Sequence, residues 1–181
     1  MTVPIILPNE IKHGRYGTMF NYRSGLDFNW RKTERWGLLW KKVWWDVHVP
    51  EMHPIMWQDK ASGLIFRPCS TRQLAAATHR LTDLGSVPPP VRSFFPPDEL
   101  PCAYVFHDIG YGAGGLWVST QVDGPWFWMQ LTRYELDDMC LRSIPEAFDM
   151  TMLRRNTIYD AVRIGGFANF RPRHPMMEDR T

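Results

Sequence analysis

A chain of 181 residues with 44% hydrophobic and 22% charged residues can bury the core of one domain, and this composition does not fit a disordered chain. A formal net charge of +2 argues against a general polyanion binder, and Cys69, Cys102 and Cys140, which share no C-x-x-C spacing, argue against a disulfide scaffold and fit synthesis in a reducing cytoplasm. No apolar run approaches the ~20 residues that span a bilayer, and residues 1–8 are too short and too broken by proline for a signal peptide.

Residues 1 to about 29 mix Pro, Gly, Asn and aromatics without a sustained period and read as an extended, aromatic-rich arm. From residue 30 to 45 the apolar residues Trp36, Leu39, Trp40, Val43 and Trp44 recur at helical spacing with Lys and Arg between them, which predicts an amphipathic helix. Such a helix docks on its own domain or on a partner chain, with a membrane surface as the alternative. Short strands interrupted by proline are expected at 47–50 and 64–68, a helical segment at 71–80, and a strand end running into a rigid turn at 81–90. Residues 101–110 read as a helix with Pro101 in its first turn, stopped by the glycines at 112–115. Thr132 followed by Glu135 is a capping box opening a helix to about residue 143, and a last helix from about 150 to 164 ends at Gly165-Gly166. Together these elements predict an α+β fold, a few short strands packed against three or four helices. Residues 1–45 form the arm and amphipathic segment, 46–170 a single α+β domain, and 171–181 a polar tail. Two basic bunches, at Arg31, Lys32, Arg35, Lys41 and Lys42 and at Arg154, Arg155, Arg163, Arg171 and Arg173, read as solvated faces or as patches for phosphate or lipid headgroups.

The residues best suited to chemistry are His107 and Asp108. Adjacent helical residues point about a hundred degrees apart, so the two side chains are expected not to bond each other but to serve one site, the imidazole toward a water and the carboxylate toward a cation. Tyr111, four residues on, lies on the same face and can brace the ring, while Asp137 on the following helix can take the other ring nitrogen and fix the tautomer. His107, Asp137 and Tyr111 are thus the catalytic candidates, and Asp108 and Asp83 the metal-ligating ones, with calcium or zinc as candidate metals. Asp83 has a second reading, in which its carboxylate only holds its own turn before Gly85 and Ser86. His48 and His53 lack partners at metal-ligand spacing, and His13 and His174 lie in the arms. The glycine-rich run 110–115 follows a helix and makes a poor nucleotide cradle, and no G-x-S-x-G or S-x-x-K pattern supports a serine nucleophile.

Four motifs occur in order: Thr82-Asp83-x-x-Ser86-Val87-Pro88, His107-Asp108-x-x-Tyr111, Thr132-Arg133-x-x-x-Asp137, and Tyr159-x-Ala161-Val162-Arg163-x-Gly165-Gly166. Over residues 60 to 170 this pattern resembles a phage and prophage domain family of unknown function, which implies a viral origin without supplying an activity. Outside the resemblance fall residues 1–45 and an aromatic hairpin inserted at 117–129 around Asp123-Gly124. Taken alone, His107-Asp108-x-Gly110-Tyr111 with Asp137 is also similar to the secreted phospholipases that cleave the sn-2 ester, which implies His107 as the base, Asp108 as a calcium ligand and Asp137 as the group orienting the ring. The phosphohydrolases named for a His-Asp doublet offer a further comparison, with His79, His107-Asp108 and Asp137 or Asp138 as ligands.

The functional expectation is a phage virion-associated protein, a structural or accessory component of the head–tail or tail region, with a hydrolytic site around His107 left open. The alternatives are a phage-encoded metal-assisted hydrolase of the host envelope, phospholipase-like or acting on the cell wall, with His107 as general base, and an early phage protein that binds a host factor. Expected partners are other virion proteins, met through the N-terminal arm and the 117–129 insertion, in a homo-oligomer or ring. No specific nucleic acid is expected, and the protein is placed in the virion after synthesis in the host cytoplasm.

Overall fold

The computed structural model describes residues 11–21, 27–36, 41–70, 81–82, 101–147 and 151–165. The main sheet is built from short strands with one inward face: in β2 (Gly17–Phe20), Gly17 and Met19 are buried while Thr18 and Phe20 are half-buried, the period of two expected of a strand with one covered face. With β1 (Lys12–His13), β5 (Met56–Asp59), β6 (Ile65–Arg67), β8 (Gly115–Ser119) and β9 (Phe127–Gln130), β2 forms a six-stranded sheet in the order β1-β2-β5-β6-β8-β9. Every neighbouring pair in it is antiparallel. A second, three-stranded antiparallel sheet runs β3 (Asp27–Trp36), β4 (Lys41–His48), β7 (Leu81–Thr82). With helices α1 (Pro101–Ala113), α2 (Arg133–Ala147) and α3 (Met152–Gly165), the fold is α+β.

The core lies between the main sheet and the first two helices. Met19, Trp57, Phe66, Leu116 and Val118 from the sheet meet Val105, Phe106 and Ile109 of α1 and Leu136 and Met139 of α2. Each such side chain stabilises the fold by roughly 1.5–3 kcal/mol through burial, before conformational entropy is subtracted. Trp57 is fully buried and stacks on Phe66 at 6.0 Å between centroids.

Three expectations are corrected here. The described residues of 30–45 are strand and not an amphipathic helix: β3 and β4 pair antiparallel, with a register irregularity between Asn29 and Thr33. The helical spacing of Trp36, Leu39, Trp40, Val43 and Trp44 coexists with a period-two pattern, Phe28 and Trp30 in one strand and Val43, Trp45 and Val47 in the other. For residues that are β-branched or aromatic, the strand pattern wins. Nor do residues 12–20 stand apart as an arm, since β2 pairs with β5 along its length and Met19 is part of the common core. The aromatic segment 117–129 does form a hairpin, but its first strand is no appendage: β8 lies inside the sheet between β6 and β9, and Leu116 and Val118 are core residues. The helical segment expected at 71–80, the turn after Thr82 and the tail lie outside the described residues.

Two sequence features fix how the helices meet. Thr132 and Glu135 form the capping box at the start of α2: the Thr132 N–H donates to Glu135 Oε2 at 2.7 Å, and the Glu135 N–H donates to Thr132 Oγ1 at 3.3 Å. These bonds to Thr132, the backbone one foremost, hold the Glu135 carboxyl below its ordinary value. Gly110 lets α1 and α2 approach, because a Cβ there would lie 2.4 Å from Leu136 Cδ2. That close approach brings residues 107–111 opposite Asp137.

Candidate functional site

His107, in the middle of α1, is 4% exposed, and both of its ring nitrogens face carboxylates. Nδ1 lies 2.9 Å from Asp108 Oδ1, and Nε2 lies 3.1 Å from Asp137 Oδ1 on α2. The first contact corrects the expectation that adjacent side chains would not bond. A hundred degrees separates their Cα–Cβ directions, but the small axial rise along the helix lets a short carboxylate fold back to the near ring nitrogen. An ionised carboxylate only accepts, so both contacts are satisfied together by a ring carrying two N–H groups, the imidazolium. Burial alone would push this imidazole down, but the hydrogen bonds and charges of Asp108 and Asp137 outweigh it and hold it up at about 9.

Asp137 is fully buried and is the hub of the site. Its Oδ1 also accepts the Tyr111 hydroxyl, while its Oδ2 lies 3.4 Å from Arg163 Nη1 of α3 and 3.8 Å from Arg133 Nε one turn back on α2. Burial raises this carboxyl, yet the bonds from His107 and Tyr111 and the neighbouring cations bring it below its usual value. The Tyr111 ring lies 4.0 Å from the His107 ring, and its hydroxyl accepts from Arg133 Nε at 3.2 Å. Burial and the bond to Asp137 push that phenol upward. Arg133 also donates to the backbone carbonyl of Arg163, and Arg163 donates to the Tyr159 hydroxyl at 3.3 Å. His107, Arg133 and Arg163 thus outnumber Asp108 and Asp137 by one charge, and the five groups tie α1, α2 and α3 to one another.

His107, Asp108, Tyr111 and Asp137 therefore meet, as residue type and spacing suggested, whereas Asp83 lies outside the described residues. The oxygens of Asp108 and Asp137 that face the site point at ring N–H groups, and among the described residues no group of three or more His, Cys, Asp or Glu side chains is arranged to hold a metal. Arg133, Tyr159 and Arg163 were not among the candidate site residues. Their signal was present in the sequence, since the Arg133-x-x-x-Asp137 and Tyr159-x-x-x-Arg163 spacings each place two side chains on one helical face.

Among the described residues no helix is long and apolar enough to cross a membrane. Comparison with protein-family models, with curated proteins and with solved structures finds no match to this chain.

Proposed function

We propose that this chain is a phage virion-associated protein, a structural or accessory component of the head–tail or tail region, in which the His107 network is a buried clamp between helices. One observation carries the clamp: the polar residues of three separate motifs, His107, Asp108 and Tyr111, then Arg133 and Asp137, then Tyr159 and Arg163, bond to one another. A general base needs a neutral nitrogen within reach of a water or substrate proton. Here one nitrogen faces each carboxylate and the ring is sealed. Motifs that meet in this way specify how helices dock, which is the demand placed on a subunit that must fit its neighbours.

The assignment to a particle rests on the resemblance of those ordered motifs to the phage domain family and on the surface available for contact. Phe127 on the edge strand β9 is 63% exposed, next to half-buried Trp126 and Trp128, and Arg67 lies over the Trp126 ring at 4.4 Å. Aromatic side chains with an arginine among them are the composition of protein contact surfaces. Gradient-purified particles of the encoding phage or induced prophage, analysed by mass spectrometry, test the reading. The chain is expected to co-sediment with particles in stoichiometric amount, and recovery only from the soluble fraction of infected cells would overturn it.

A further inference from the structure

A second polar cluster, unrelated to the clamp, joins α2 to the end of β5 in the main sheet. Arg142 Nη1 donates to Asp59 Oδ1 at 2.8 Å, and Arg142 Nε lies 2.9 Å from Asp138 Oδ2. Asp59 is 4% exposed, and its other oxygen accepts from the Ser62 N–H at 3.0 Å and the Ser62 hydroxyl at 2.7 Å. Burial acts to raise this carboxyl, but the Ser62 bonds and the Arg142 charge bring it below its usual value. The β5–β6 turn is closed further by the Gly63 N–H on the Asp59 carbonyl at 2.8 Å, with Gly63 at φ 71°, where a side chain is strained. Finally, the Lys60 N–H donates to the Tyr16 carbonyl at 2.8 Å, which ties this turn to the one between β1 and β2. Two turns are thus locked together, from within and from α2.

This rigid frame holds two cavities that share Asp59 and Lys60. One, of about 350 Å³, is also lined by His13, Thr18 and Gln58, and the other, of about 220 Å³, by Arg15, Tyr16 and Arg142. Arg142 is paired with two carboxylates, Asp59 and Asp138, so only the further cations Arg15 and Lys60 make the neighbourhood positive. Arg15 and Lys60 are different: both are exposed, and neither has a carboxylate partner among the described residues, Arg15 lying instead over the Tyr16 ring at 5.4 Å. These two cations, without a carboxylate partner among the described residues, both line the smaller cavity, on turns held by backbone hydrogen bonds, and are suited to an anion, because the cost of ordering the site is already met. His13, whose Nδ1 is engaged with Thr18 Oγ1 at 3.1 Å, lines the larger cavity instead. The guanidinium of Arg15 and the ammonium of Lys60 together supply more donors than the two oxygens of a carboxylate accept, and they match the three free oxygens of a phosphate monoester.

We propose that the β1–β2 and β5–β6 turns form a binding site for a phosphate group, held between Arg15 and Lys60 at the smaller cavity that both line. The cavity sizes fit the head of a small phosphorylated molecule or of a phospholipid.

The test uses the full chain, isotope-labelled for NMR, titrated with inorganic phosphate at low ionic strength, and in parallel floated with phosphatidylcholine vesicles with and without phosphatidic acid. Saturable shifts of the Lys60, Ala61 and Ser62 amides are expected with phosphate. Lys60→Gln and Arg15→Gln, both at exposed positions, are each expected to weaken binding by about fivefold to tenfold while leaving the thermal midpoint in place. Response to free phosphate identifies a small soluble ligand. Flotation only with phosphatidic acid, lost in both variants, identifies a lipid headgroup. Binding to neither probe, binding that survives both substitutions, or shifts confined to another part of the chain would overturn the proposal.

Discussion

If His107 is a buried imidazolium, stability must fall with rising pH in a window set by that one ring. Its value is about 9 in the folded chain against 6.5 when free, a raised value, so its contribution is complete below pH 6.5 and is lost as pH rises through 9. The difference corresponds to roughly 3 kcal/mol, and the 4% exposure of the side chain calls for no solvent discount. Urea denaturation at intervals between pH 6.5 and 9 is the assay. Other shifted groups among the described residues act outside this window: the Asp59 and Asp137 carboxyls, both lowered, lose their contribution only on the acid side, and the Cys69 thiol, pushed up to about 12 by burial, weakens the fold only above its ordinary 9. His107→Gln keeps an amide but cannot titrate, so the variant is expected to be less stable at pH 6.5 and to show a flat profile to pH 9. An equal slope in variant and wild type, or an NMR titration of the His107 ring centred near 6.5, refutes the imidazolium and returns the ring to use as a base.

Three further outcomes are expected. Gly110→Ala destabilises the chain, because overpacking against Leu136 at 2.4 Å costs about 1–3 kcal/mol and outweighs the ~1 kcal/mol gained in helix propensity. In a Leu136→Ala background the sign reverses and alanine at 110 stabilises, which a thermal-melt double-mutant cycle reads directly. Thr132→Ala removes one half of the α2 capping box and lowers stability by about 1 kcal/mol in urea, with retained stability showing that the cap is idle. Calcium or zinc at millimolar concentration leaves the thermal midpoint unchanged, since Asp108 and Asp137 are turned toward His107; a dose-dependent rise would show that Asp108 leaves the ring to bind a cation.

Local sequence determined the elements whose cause is local. Pro101 and the glycines after it bound α1, Thr132 and Glu135 start α2, and the Gly165-Gly166 pair marks the end of α3. The same periodicity arithmetic placed His107 and Tyr111 on one face, and residue chemistry alone named Asp137 as the partner of the ring. What the sequence left open was decided by partners distant along the chain. Residues 27–48 carry both a 3.6 and a 2.0 period, and pairing with each other and with β7 selects the strand. Residues 12–20, which carry no strong pattern, become sheet because β5 offers them an unpaired edge. The ionisation of His107 is likewise a tertiary fact, for it depends on two carboxylates arriving from different helices and on the exclusion of water around them. Asp59 and Arg142, 83 residues apart, left no trace in any motif. Backbone propensity acts over a few residues and can be read in one dimension, whereas charge compensation and burial depend on distances that only the folded chain defines.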